Sequence, residues 1–188
     1  MKTLLAVSLL ALAGASSVAA AADDDSWFVR GNLGSSRLNT NDFGSFGSGT
    51  AAGVSGGYYF TPNLGLEGRY MDYGKHDVPF VGGGSARVDG FGIGVVGKWH
   101  FDPNNIGFYV DARGGFLRTH TDVPDGLQGG GGNVHLTDDH SSGYIGVGAG
   151  WDFTRNFGIG ANYEYAGARA FGVHGQTSTV TVDAELRF

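Results

Sequence analysis

The feature that most restricts the fold of this chain is a period-two alternation of apolar and polar residues, recurring in about eight segments along residues 27–188. The segments are Trp27 to Gly34, Ala52 to Phe60, Leu64 to Met71, Val88 to Phe101, Ile106 to Leu117, Tyr144 to Phe153, Phe157 to Tyr165 and Val180 to Phe188. Successive side chains of a strand point to opposite faces, so such alternation predicts strands with two different surroundings. Three connections are short: Thr61-Pro62-Asn63, Asp102-Pro103-Asn104-Asn105 and Thr154-Arg155-Asn156. They alternate strictly with long tracts rich in Gly, Ser, Asn, Asp and His, at Ser35 to Thr50, Tyr73 to Ala86, Arg118 to Ser142 and Gly167 to Ser178, which predict loops. An up-and-down antiparallel sheet gathers the short connections at one end and the long ones at the other. The predicted class is all-β, with eight antiparallel strands.

Glycine counts 36 of 188 residues, yet no Gly-X-Y period exists and aromatic residues make up 13%, so the chain is ordered rather than collagenous or disordered. Residues 1–22 read as a secretory signal peptide: Lys2, the apolar stretch Leu4 to Leu12, and a small-residue cleavage site at Val18-Ala19-Ala20 or Ala20-Ala21-Ala22. Cleavage falls after residue 20 or 22, and residues 23–188 form a single domain outside the cytoplasm. The absence of cysteine excludes a lipid-anchored cysteine and disulfide staples. After residue 25 no apolar stretch reaches the length of a membrane helix. A membrane-spanning form of this chain must therefore be a closed barrel, because lipid offers no partner to an open sheet edge. The net charge of -6 argues against a nucleic-acid partner.

Alternation alone does not say which face is inside; a soluble lipocalin-like barrel and a membrane barrel share the pattern with opposite sense. One face carries Arg30, Glu67, Arg69, Lys98, His100, Asp111, Arg113, Asp152, Glu164 and Asp183, interspersed with glycines such as Gly57, Gly94, Gly148 and Gly160. Eight strands enclose a lumen that side chains fill, which suits long charged residues beside glycine. The other face is apolar with aromatic ends. Trp27, Trp99 and Trp151, with Phe60, Phe101, Phe153, Phe157 and Phe188, lie at the short-turn end; Tyr70, Phe91, Phe116, Tyr163 and Tyr165 lie at the other. Two aromatic bands bounding an apolar belt match the two interfaces of a membrane. An even strand number places both termini on the short-turn side, the periplasmic side of a bacterial outer membrane. Segments of about 9 to 12 residues are near the length a tilted strand needs to cross lipid.

The last segment alternates Val180, Val182, Ala184, Leu186 and Phe188 with Thr181, Asp183, Glu185 and Arg187. Val182, Ala184, Leu186 and the terminal Phe188 resemble the signal read by the outer-membrane barrel assembly machinery of Gram-negative bacteria, with Leu186 where tyrosine is common. "GGYYFTPNLGLEGRY", Gly56 to Tyr70, resembles the second hairpin of the OmpA-like β-barrel family. "SWFVRGNLG" resembles its first strand, and "NYEYAG" with the final "LRF" its seventh and eighth. The resemblance implies an eight-stranded outer-membrane barrel, without the periplasmic peptidoglycan-binding domain of longer relatives, whose lumen holds a charge network that blocks a pore. It matches Glu67 to a family acid on the third strand and Lys98 to a family lysine on the fourth, with Asp152 on the face of the lysine's acid. The family arginine on strand seven falls at Asn162, leaving Arg69 or Arg113 to substitute.

Enzyme chemistry finds little support in the sequence. His140-Ser141-Ser142 fits the His-x-Ser pair of a lipid A deacylase, with Glu164 or Glu185 to complete it, but the segment reads as loop. His76, His120, His135, His140 and His174 fall in the long tracts, several near Asp122, Asp138 or Asp139, without the tight spacing of a metal site. Gly129 to Gly132 lacks the Lys-Ser/Thr and helix of a phosphate cradle. No catalytic, cofactor or metal residue is assigned. The sequence predicts a monomeric outer-membrane barrel with a structural or surface-recognition role and a lumen network of Arg30, Glu67, Arg69, Lys98, Asp111, Arg113, Asp152 and Glu164. Its partners are then outer-membrane lipid and lipopolysaccharide, the assembly machinery and a host or surface ligand at the loops. A narrow pore, a soluble periplasmic ligand-binding barrel and a lipid A-modifying enzyme are the alternatives.

Overall fold

The computed structural model describes residues 26–40, 44–78, 84–123, 136–170 and 173–188; the expected signal peptide lies outside them. Eight strands follow one another: β1 (Ser26–Thr40), β2 (Gly44–Thr61), β3 (Leu64–Val78), β4 (Gly84–His100), β5 (Gly107–Val123), β6 (Leu136–Asp152), β7 (Phe157–Ala170) and β8 (Val173–Arg187). Each pairs antiparallel with its neighbours in sequence, and β8 pairs back with β1 to close a barrel. Closure leaves no sheet edge, the condition for a sheet to sit in lipid.

The register sets the barrel's shape. A walk from partner to partner leaves β1 at Phe28, passes Gly57, Glu67, Gly94, Gly115, Tyr144, Ala166 and Thr177, and returns to β1 at Leu38, ten residues further on. With about 3.3 Å of rise per residue and about 4.8 Å between strands, that stagger tilts the strands by about 40°. At this tilt about ten residues cross an apolar belt about 25 Å tall.

The burial pattern decides which face is inside. Val95 and Trp99 are 44% and 46% exposed on the outer wall, whereas Lys98 and Glu67 are 0% and 3% exposed within the barrel. Leu33, Leu66, Ile93, Ile145, Val147 and Val182 also point outward, more than half exposed. An uninterrupted apolar belt of this extent around a closed barrel is a lipid-facing surface, not a soluble one. Trp27, Trp99 and Trp151 ring its short-turn end, and Tyr70, Phe91, Phe116 and Tyr163 its other end, all exposed.

The short turns share one device. Thr61 Oγ1 accepts from the backbone N–H of Asn63 and Leu64 at 3.3 and 2.9 Å, and Thr154 Oγ1 accepts from Asn156 and Phe157 at 3.2 and 3.0 Å. Asp102 does the same for Asn104 at 2.7 Å, while Asn105 takes the left-handed φ of 56° that asparagine tolerates. The Asn63 and Asn156 amides then reach sideways to the carbonyls of Lys98 and Arg187, at 2.7 and 2.9 Å, tying each turn to the next strand.

At the opposite end the long tracts differ from the expectation of loops. β1 continues to Thr40 and β2 begins at Gly44; β3 runs to Val78, β5 to Val123, and β6 starts at Leu136. The strands are 14 to 18 residues long rather than 9 to 12. Their ladders continue past the upper aromatic ring, where both faces lose the apolar alternation that marks strands in sequence.

Candidate functional site

Inward-facing side chains converge in the lumen from all eight strands. Arg30 from β1 projects across the seam to β8, where its Nε donates to Glu185 at 2.9 Å and a second nitrogen contacts the same carboxylate. Asp183 and Asp111 lie 3.7 and 3.9 Å from the same guanidinium. Lys98, fully buried on β4, places its Nζ 2.9 Å from Asp152 and 3.0 Å from Glu185, over the Tyr109 ring at 3.7 Å. Asp152 also takes the His100 ring nitrogen at 2.7 Å and Arg187 at 3.3 Å. Arg113 donates to Asp111 and Asn162 at 2.9 and 2.8 Å, and the Asn162 amide donates to Asp183.

A smaller cluster lies towards the long-tract end. Arg69 pairs with Glu164 and lies over the Tyr144 ring at 4.6 Å; Tyr144 donates to Glu67 at 2.9 Å. Glu67 therefore meets a hydroxyl, and Arg69 takes Glu164 rather than its same-face neighbour Glu67. Beyond it Ala51, Met71, Tyr73, Leu117, Tyr144 and Ala166 form an apolar cluster across the lumen. Glycine makes room for these large groups: a Cβ at Gly150 would run into the Tyr109 hydroxyl and the Ile159 carbonyl.

All eight residues marked from sequence as a lumen network lie buried inside the barrel, in these two clusters. The last strand adds Asp183, Glu185 and Arg187 to the network, three residues outside that set of eight whose shared parity in the alternation of Val180 to Phe188 is the signal for them. Tyr59, Tyr73, Tyr109 and Tyr144 also face the lumen, which the sequence does not signal, because an aromatic ring on an alternating strand reads equally well as part of the outer belt. Among the described residues six lumen carboxylates (Glu67, Asp111, Asp152, Glu164, Asp183, Glu185) face five cations (Arg30, Arg69, Lys98, Arg113, Arg187), with His100 alongside. Charge matching of this kind lets ions sit in a dry interior where an unpaired one would be costly.

The His-x-Ser segment lies on β6, not in a loop. Ser142, the serine of that spacing, has its Oγ buried without a hydrogen-bond partner among the described residues, while Glu164 is held by Arg69 and Glu185 by Arg30 and Lys98, so neither carboxylate serves a His140-Ser142 pair. His76, His140 and His174 likewise lie on strands, where their side chains are outside the description; His120 is on β5, and His135 lies outside the described residues. Val182, Ala184, Leu186 and Phe188 lie on the outward face of the last strand, whose end is tied to β1 by Trp27 N to Phe188 O at 2.9 Å and Phe188 N to Trp27 O at 3.0 Å.

A closed barrel with a lipid-facing belt and an ion-paired lumen is the architecture of a known group, and residues 6–188 match the family described as outer membrane protein beta-barrel domain. The chain belongs to that family. Its place is the outer membrane of Gram-negative bacteria. An uncharacterized protein of Haemophilus influenzae is 30% identical over 114 residues, covering 60% of this chain and 61% of the relative; the match thus spans about three fifths of that relative's length. Among solved structures, neisserial surface protein A aligns with a TM-score of 0.69 at 12% identity, over 88% of this chain and all of the other. Ail of Yersinia pestis, the attachment invasion locus protein, solved with the heparin analogue sucrose octasulfate, aligns at 0.58 and 13% identity over 87% and 97% of the two chains. OprG of Pseudomonas aeruginosa aligns at 0.54 and 13% over 88% and 96%. These structures share the fold.

Proposed function

We infer that this chain is a side-chain-filled outer-membrane barrel, neither channel nor enzyme, whose protruding wall and upper connections recognise a partner at the cell surface. The observation that carries this is the length of the strands. About ten residues cross the lipid, yet β2 has 18 and β4, β5 and β6 have 17 each, so the wall stands well clear of the membrane on the long-tract side. A barrel serving only as a membrane plug has no use for this extension. The outward residues there are polar: Arg37, Asp72, Asp89, Arg87, Arg118 and Ser141, with Arg87 paired to Asp72. The lumen, crossed by two ionic clusters and an apolar one, supports a barrel that does not conduct, and the ion pairs of Glu164 and Glu185 occupy the two carboxylates that a His140-Ser142 pair would need.

Ail binds a polyanion in its solved complex. Here residues 118–142 carry one arginine, Arg118, and four aspartates, Asp122, Asp125, Asp138 and Asp139, a balance that favours a basic protein surface over a sulfated polysaccharide. Lipopolysaccharide surrounds the belt on this side, the outward residues of β8 serve as the assembly signal, and the barrel works as a monomer. The test is attachment of bacteria displaying the chain to surfaces coated with a basic peptide or with heparin. Attachment to the basic surface falls when the four aspartates become asparagine. Equal attachment by that variant, or stronger attachment to heparin, sinks the proposal.

A further inference from the structure

At the short-turn rim the outer wall carries an open groove of about 630 Å³ between the β4–β5 and β6–β7 turns. Its apolar walls are Phe101, Phe108 and Trp151, with Phe101 and Phe108 in ring contact at 5.5 Å and Phe108 paired across the sheet with Trp151. Gly107 forms part of the lining at φ 96°, and a Cβ there would meet the Trp151 ring at 3.8 Å, so the absence of a side chain keeps the ring face open. The polar edge holds two opposite charges, Asp102 and Arg155. Arg155 has no ion pair or hydrogen bond among the described residues. Asp102 uses Oδ1 for its turn, which leaves Oδ2 for another donor.

We propose that this groove is a binding site for one glycerophospholipid of the periplasmic leaflet with a primary-amine headgroup, such as phosphatidylethanolamine. The groove straddles the aromatic ring where the belt ends, so a ligand in it must be apolar on one side and polar on the other. Arg155 presents a guanidinium fork to the phosphate, and Asp102 accepts from the ammonium. The rings of Phe108 and Trp151 pack against the glycerol and first methylenes. The charge pair discriminates among headgroups. A quaternary ammonium has no N–H to give Asp102, and a phosphatidylglycerol brings no cation.

The test uses the full chain folded in detergent and exchanged with phosphatidylethanolamine, phosphatidylcholine and phosphatidylglycerol of identical acyl chains, with retained lipid read by native mass spectrometry. Retention of the ethanolamine lipid should exceed that of the choline lipid about fivefold, the yield of one charge-assisted contact at an exposed site. Asp102→Asn keeps the turn acceptor, and should bring the ratio to about one while leaving choline-lipid retention unchanged. Arg155→Gln should lower retention of all three. Heat-modifiable gel mobility verifies that both variants are folded. Equal retention of the three lipids by the unaltered chain, or an undiminished preference in Asp102→Asn, overturns the site and leaves only non-selective boundary lipid.

Discussion

At the scale of single residues, the lumen shows how a membrane barrel holds ions in a dry interior. Arg69 and Glu164 are nearly fully buried, 4% and 8% exposed in their side chains, and each satisfies the other. Removing one partner leaves a buried charge without its counter-ion, Glu164 with the Tyr73 hydroxyl at 3.5 Å or Arg69 over the Tyr144 ring, whereas removing both leaves mostly a packing defect. Arg69→Met is expected to cost about 3–5 kcal/mol in unfolding from lipid vesicles by urea, and Arg69→Met with Glu164→Gln to recover most of that loss. If the double variant is no more stable than the single one, the pair is not the unit of stability. Lys98 is held more redundantly, with Asp152 and Glu185 both at about 3 Å and the Tyr109 ring beneath it. The inward parity of Lys98, Asp152 and Glu67 was readable directly from period two. Which acid meets which base was not readable, because partners such as Arg30 and Glu185 are joined by a barrel closure 155 residues away in sequence.

At the scale of elements, the terminal strand closes the barrel and carries its last interface ring. Phe188 makes two backbone hydrogen bonds to Trp27 and exposes its ring at the short-turn rim. If the ring is what the assembly machinery reads, Phe188→Ala should reduce the heat-modifiable form in outer-membrane fractions about as much as deleting the residue, although only the deletion removes the hydrogen bonds. A reduction confined to the deletion would assign the effect to closure instead. The element boundaries show where sequence ceased to report structure. Within the belt, lipid on one side and a packed lumen on the other impose two different faces, and alternation located every strand. Beyond it, Ser35, Ser36, Arg37 in β1 and Thr119, His120 in β5 keep the ladder while the outer face no longer meets lipid, so the sequence there carries no apolar alternation and reads as loop. The Thr-x-Asn turns were legible as turns, but their asparagine clamps onto the neighbouring strand needed the fold.

For the whole molecule, a stagger of ten residues over eight strands sets the width of the lumen, and the question is whether what fills it seals it. Two different materials lie in series: the apolar cluster of Met71, Tyr73, Leu117 and Tyr144 towards the outside, and the ion cluster around Arg30, Lys98 and Glu185 towards the periplasm. An apolar constriction excludes ions by offering no solvation, whereas an ion-paired layer excludes them by occupying the space with groups that are already neutralised. Either layer alone should therefore be sufficient. In planar bilayers the unaltered chain is expected to give no stepwise conductance. Tyr73→Ala with Tyr144→Ala should remain closed, because the ionic layer persists below. Adding Arg30→Ala and Glu185→Ala, which removes a matched cation and anion together, should produce discrete openings in whatever fraction still shows the folded gel mobility. Steps from the unaltered chain would mean that the side chains leave a continuous path. Openings in the tyrosine double variant would show that the apolar cluster is the sole seal and that the ion pairs below it serve stability alone.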